Sequence, residues 1–247
     1  MPDAGTGLDT PDASEAFCDG TPYVCPANAI CDDFEDITSS DFPGVQRESG
    51  TVSQTNWMTG MPASAASSIG PGTTACRGGK SLHFTATGAA QSLKLAYGFS
   101  TIPRPTSLYA RVFMRIASSS PGSDFETMGM QRASDGKFIS FGFTHDKVLV
   151  DSPDLRDLNE DTGIAGPLER NAWMCIRMHV IFDAGANGVL ELSIDDVPVV
   201  TIRGATDLTP GFDRFQLTTV TGADETGVFD VDYDSLVIAD HDISCYP

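Results

Sequence analysis

The sequence predicts an all-β protein, an antiparallel β-sandwich with essentially no helix. Three observations predict it. Short segments alternate apolar and polar residues with period two, and they are rich in Val, Ile, Phe and Thr. Breakers separate them at short intervals: Gly70-Pro71-Gly72, Pro103-Arg104-Pro105, Pro121-Gly122, Asp135-Gly136, Asn187-Gly188 and Pro210-Gly211. No stretch carries a helical period.

At 247 residues the chain suits one large all-β domain with a substantial core. Fifteen Lys and Arg against 34 Asp and Glu leave a net charge of −19. That charge repels nucleic acid and anionic membranes but tolerates divalent cations and neutral polymers. No run of about 18 apolar residues exists to span a membrane. Met1 and the polar residues after it read as a chain whose export signal has been removed, and six cysteines point to an oxidising compartment. Zinc is disfavoured, because neither C-x-x-C nor H-x-x-x-H occurs.

In chain order, residues 1–17 read as a disordered acidic stalk and residues 18–30 as a cysteine-rich lead-in. Residues 31–247 form the sandwich. Candidate strands are 31–36, 51–56, 80–87, 91–98, 107–117, 125–133, 137–144, 146–151, 172–183, 188–195, 197–203, 212–220 and 227–239. Ala186-Asn187-Gly188 is a hairpin turn, since Asn-Gly accepts positive φ angles.

Alternation assigns the faces. Leu108, Ala110, Val112, Met114 and Ile116 point to the core, with Tyr109, Arg111, Phe113 and Arg115 opposite. Met174, Ile176, Met178, Val180 and Phe182 point inward, with Trp173, Cys175, Arg177 and His179 outward. Ile139, Phe141 and Phe143 are core, and Ser140 and Thr144 lie opposite. A face bearing Tyr109, Arg111, Arg177 and His179 offers rings for sugars to stack on and donors for hydroxyls.

The other concentration of chemistry is acidic. Glu35 lies on the polar side of the first predicted strand, and Asp230, Asp232 and Asp234 share one face of the last. Calcium takes six to eight hard oxygens, and the glycine-rich loop Cys76-Arg77-Gly78-Gly79 can add backbone carbonyls. An acidic edge that discourages aggregation accounts for the same residues without an ion. The pattern is not an EF-hand, which needs a glycine and a distal glutamate.

The succession Asp32-Asp33-Phe34-Glu35-Asp36, Trp57, Gly78-Gly79-Lys80-Ser81-Leu82-His83, Leu108-Tyr109-Ala110-Arg111-Val112, Trp173-Met174-Cys175-Ile176 and Asp234-Ser235-Leu236-Val237-Ile238-Ala239 resembles concanavalin A-like (LamG-like) jelly-roll domains. The acidic stalk with its closely spaced cysteines resembles secreted lipoproteins of myxobacteria and related bacteria. The resemblance spans about residues 31–245. It implies a carbohydrate-binding module with a structural calcium held by Glu35, the Arg77–Gly79 region including Gly79, and Asp232 or Asp234.

The expected function is a secreted or surface-tethered, monomeric polysaccharide-binding module with structural calcium. The alternatives are a polysaccharide-degrading enzyme, lyase before glycoside hydrolase, or a structural or adhesive surface module. Glu-x-Asp-x-x-Glu and Gln-x-His patterns, which the jelly-roll hydrolases and alginate lyases would carry, are absent. Catalysis would require Tyr109, Arg111, Arg177, His179 and His145 to converge. Neither Gly-x-Ser-x-Gly nor a phosphate-binding glycine loop is present.

All six cysteines are expected in disulfides. Cys76–Cys175, Cys31–Cys245 and Cys18–Cys25 is the first pairing considered, with Cys18–Cys31 and Cys25–Cys245 as an open alternative.

Overall fold

The computed structural model describes residues 18–245, except 19, 22–23, 39–45, 48–49, 57, 60, 99–105, 119, 121–124, 145–146, 152–159, 166–168, 205, 207–211 and 225. The stalk 1–17, Trp57 and His145 therefore lie outside the described residues.

Seventeen strands run in chain order among the described residues: β1 Ile30–Asp32, β2 Gln46–Arg47, β3 Gly50–Asn56, β4 Met61–Pro62, β5 Ser68–Gly72, β6 Ser81–Thr87, β7 Gln91–Gly98, β8 Ser107–Ile116 and β9 Phe125–Gln131. There follow β10 Phe138–Thr144, β11 Lys147–Asp151, β12 Glu160–Ala165, β13 Trp173–Ile181, β14 Gly188–Ile194, β15 Val197–Gly204, β16 Arg214–Thr221 and β17 Val228–Ala239. No helix occurs among the described residues. The alternating segments land within a few residues of their expected bounds. The short β2, β4, β5 and β12 carry too little alternation to stand out in the sequence.

Two antiparallel sheets pack face to face. The first, sheet A, has the order β15-β14-β13-β8-β17-β6-β5, with β1 paired to β17; the second, sheet B, has the order β12-β11-β10-β9-β16-β7-β3-β2, with β4 paired to β3. Between them lies one core that includes Leu82, Phe84, Leu95, Val112, Met114, Phe141, Ile176, Met178, Phe215, Leu217 and Tyr233. The predicted inward faces of β8, β10 and β13 are the observed ones; Phe182, just beyond β13, is only partly buried against the core.

First and last strands meet, as expected, with Ile30 opposite Ile238 and Asp32 opposite Leu236. The predicted strand 31–36 is corrected, however: β1 stops at Asp32. The Asp32 carboxylate accepts the Phe34 amide and that of Asp33 accepts the Glu35 amide, so the chain turns rather than extends. Phe34, whose φ of 59° lies in the left-handed region, and Ile37 then plug into the core.

All six cysteines are bonded, but in pairs other than those expected: Cys18–Cys76, Cys25–Cys31 and Cys175–Cys245. The correction has a physical cause. A β-bulge between Asp234 and Val237 re-aims the end of β17, and the C-terminal segment folds back over the outer face of sheet A, where Cys175 waits. Cys76, Cys175 and Cys245 pack with Phe113 and Trp173, and with half-buried Cys18, into a second small core on that face.

Candidate functional site

The outer face of sheet A is ordered in cross-strand rows. Glu191, His179, Tyr109 and Ala239 form one; Ser193, Arg177, Arg111 and Val237 the next; then Cys175, Phe113 and Asp234; then Trp173, Arg115, Asp232 and His83. The disulfide-covered Phe113 row divides this face into two polar regions.

On one side, Tyr109, Arg177, His179, Glu191, Ser193 and Asp242 line a pocket of about 190 Å³. The Tyr109 and His179 rings stack with centroids 4.0 Å apart and planes 4° from parallel. His179 Nδ1 lies 2.8 Å from Glu191 Oε2, and its Nε2 lies 3.0 Å from Ser107 Oγ. Arg177 reaches Asp242 at 3.2 Å and Asp196 at 3.4 Å. Three of the four residues expected on a ligand face thus converge. Arg111 does not join them. It is 2% exposed, donates to the Ser244 and Ser235 carbonyls, and lies over the Phe113 ring at 4.9 Å. Its guanidinium holds the C-terminal segment down.

On the other side, the Asp232 carboxylate accepts two hydrogen bonds from Arg115 and one contact from His83 Nδ1. Thr85 donates to Asp230 and reaches His83 Nε2. Asp232, through its hydrogen bond and its charge, raises the His83 pKa against the opposing effect of burial. Asp232 is therefore engaged on this side, not with Glu35.

Glu35 and Asp234 flank the loop 76–80. Glu35 Oε1 accepts the amides of Gly79 and Lys80 at 2.6 and 3.0 Å; Asp234 Oδ2 accepts those of Cys76 and Arg77, both at 2.8 Å. Gly78 has φ +66, and a Cβ there would stand 2.1 Å from Glu35 Oε1. Glycine is what lets the loop wrap the carboxylate. The residues expected at an ion, Glu35, Gly79 and Asp234, are brought together, but the loop aims N–H donors, not carbonyls, at the two carboxylates. Among the described residues no three His, Cys, Asp or Glu side chains group as metal ligands. Burial pushes the Asp234 carboxyl up to about 6 against the pull of its amide donors.

The outer face of sheet B holds what sequence reasoning missed. Gln216 of β16 sits between Ala96 of β7 and Gly129 of β9, with Ser140 of β10 beyond. Beside this row, Thr218 is opposite Lys94. Gln216 Nε2 and Oε1 and Thr218 Oγ1 are buried with no hydrogen-bond partner among the described residues. Burial lowers the Lys94 pKa, opposed by the charge of Glu126. Polar residues at alternate positions read in sequence as a solvated face; only the structure shows them buried and unpaired.

Two twisted antiparallel sheets with this strand order define a concanavalin A-like jelly-roll β-sandwich. Among solved structures, the chain is similar to "Cellulose induced protein, Cip1", at TM-score 0.63 and 16% identity over 87% of this chain and 99% of that one. It is also similar to an endo-beta-1,4-glucuronan lyase from the fungus Trichoderma reesei, at TM-score 0.53 and 12% identity over 85% and 94%. A double mutant of an alginate lyase, Aly36B, in complex with alginate trisaccharide matches at TM-score 0.50 and 15% identity over 64% and 81%. At these identities the likeness establishes the fold. No protein-family model and no curated protein matches the chain. No helix among the described residues is long and apolar enough to cross a membrane.

Proposed function

We propose that the protein is an extracellular polysaccharide-binding jelly roll whose saccharide lies across the outer face of sheet B, over Lys94, Gln216 and Thr218. The observation that carries this reading is the set of buried, unpartnered polar atoms on Gln216 and Thr218. Each such group costs about 1–3 kcal/mol while unsatisfied, and sugar hydroxyls are donors and acceptors of the kind they lack. Lys94 beside them adds a partly desolvated cation suited to a uronate carboxylate. The fold likeness to glucuronan and alginate lyases supports the substrate class, and three disulfides suit an oxidising, extracellular setting.

The test is titration with glucuronan, alginate and a neutral glucan, using wild type and the Gln216→Met and Lys94→Met variants. Binding of a uronate polymer that both variants lose supports the reading; equal binding by all three proteins refutes it. Appearance of unsaturated, ultraviolet-absorbing products in the same mixtures would make the site that of a lyase.

A second reading places the saccharide in the sheet A pocket, because Tyr109, Arg177 and His179 converge there. Tyr109→Ala then abolishes binding and Gln216→Met does not. Structural calcium at Glu35 and Asp234 belongs to the proposal as well: it would share Asp234 Oδ1 with the Ser235 hydroxyl, which donates to it at 3.1 Å, and chelation tests it.

A further inference from the structure

We propose that Ser107, His179 and Glu191 form a nucleophile–base–carboxylate triad that hydrolyses short-chain O-acyl esters on the outer face of sheet A. The inference rests on the geometry of these three side chains and is independent of the saccharide face on sheet B.

The order of contacts is the one acyl transfer needs. Glu191 Oε2 stands 2.8 Å from His179 Nδ1. A carboxylate is an acceptor only, so this contact fixes the imidazole proton on Nδ1 and leaves the Nε2 lone pair as a base. That lone pair faces Ser107 Oγ at 3.0 Å, within the reach required of a base and its nucleophile. The register makes the arrangement rigid: His179 of β13 is directly opposite Tyr109 of β8 on one side and Glu191 of β14 on the other. Tyr109 holds the ring plane by parallel stacking. His179 is 15% exposed and Glu191 39%, so the base is sheltered while its carboxylate partner stays hydrated.

The pocket on the Arg177 side of the imidazole, lined by His179 but not by Ser107, bounds the group that can sit beside the base. Its 190 Å³ is smaller than the ~300–1,000 Å³ of sites for drug-sized ligands, which fits a short acyl group and excludes a lipid chain. Ser193, Arg177 and Asp242 make its wall polar, as an ester of a hydroxyl-rich alcohol requires.

The step balances without a cofactor. Ser107 Oγ bonds to the ester carbonyl carbon as its proton passes to His179 Nε2. The carbonyl C–O bond to the alcohol breaks, and the alcohol leaves with that proton. Water then adds to the acyl carbon, giving its proton to His179, and the carboxylic acid departs as the proton returns to Ser107. Glu191 stays ionised throughout as a positioning residue. Nothing is oxidised or reduced.

The experiment is covalent labelling of the wild-type protein with a fluorophosphonate probe and peptide mapping, alongside hydrolysis of 4-nitrophenyl acetate. The expected result is an adduct on Ser107, and a loss on the order of a hundredfold or more in hydrolysis for Ser107→Ala and His179→Ala. Glu191→Gln should lower hydrolysis and shift its pH profile, with Glu191→Asp restoring part of it; a merely structural carboxylate moves neither. Folded wild type that gains no label on Ser107 overturns the proposal, and so does hydrolysis unchanged in Ser107→Ala. Because labelling uses the wild-type chain, it decides the matter even where a variant fails to fold.

Discussion

Asp232 and Arg115 face each other across β17 and β8, with Asp232 Oδ2 accepting from Arg115 Nε at 3.1 Å and Nη2 at 2.6 Å. The carboxylate is 5% exposed and the guanidinium 17%, so neither partner is well solvated if the other is removed. Asp232→Ala should cost about 2–4 kcal/mol, toward the range for breaking a buried pair, because it strands Arg115 and unties His83 at once. Chemical denaturation measures it; a loss below about 0.5 kcal/mol would place the pair with exposed ion pairs instead.

The same carboxylate sets a pH dependence. Hydrogen bonding and charge from Asp232 raise the His83 pKa above its ordinary 6.5. A raised folded pKa adds stability that is fully present below 6.5 and disappears as pH rises through the folded value. Titration of His83 by NMR should give a midpoint above 6.5 in wild type and a lower one in Asp232→Asn. A midpoint unmoved by the substitution would assign the shift to another group.

Asp234 titrates in a neighbouring window for the opposite reason. Burial lifts its carboxyl from 3.8 to about 6. Protons bind the folded state more tightly, so this contribution is present below 3.8 and is lost between there and about 6, a cost of about 3 kcal/mol above that range. A calcium ion on Glu35 and Asp234 would relieve that cost. Millimolar calcium should therefore raise the melting temperature at neutral pH and do little at pH 4. Identical melting with calcium and with chelator at neutral pH removes the ion from the proposal and leaves the loop amides as the carboxylates' partners.

Alternation made the sandwich legible: wherever a strand had one apolar face, as in β8, β10 and β13, its bounds and orientation could be read. Asp32-Asp33-Phe34-Glu35 misled because its alternation suits a strand, whereas short aspartates also capture their own backbone in a turn. The disulfide partners depended on the bulge at Asp234–Val237, which no local pattern announces. Tyr109, Arg177 and His179 could be grouped because cross-strand neighbours on one face must meet. Gln216 and Thr218 could not, because a polar residue on a strand looks the same in sequence whether its side-chain atoms are hydrated or buried.

The Cys175–Cys245 bridge spans 70 residues and Cys25–Cys31 only 6. On the chain-entropy model their removal costs about 4 and about 2 kcal/mol respectively. The longer bridge also seals Phe113 and Trp173 under the C-terminal segment, so Cys175→Ala with Cys245→Ala should lower the melting temperature well beyond the Cys25–Cys31 double variant. Equal effects would mean that the segment stays in place without its bond, held by Arg111.

Gln216 separates stability from function. Its amide atoms are buried without partners, so Gln216→Met removes two unsatisfied groups while nearly keeping the volume. The variant should be as stable as wild type or more so, by about 1 kcal/mol, and should bind uronate polymer at least tenfold more weakly. Natural proteins keep such locally unfavourable groups where a ligand needs them. If the variant is instead destabilised by 2 kcal/mol or more, the amide is satisfied within the protein in solution. The outer face of sheet B would then lose its claim to the saccharide, and the Tyr109–His179 pocket would be the place to look.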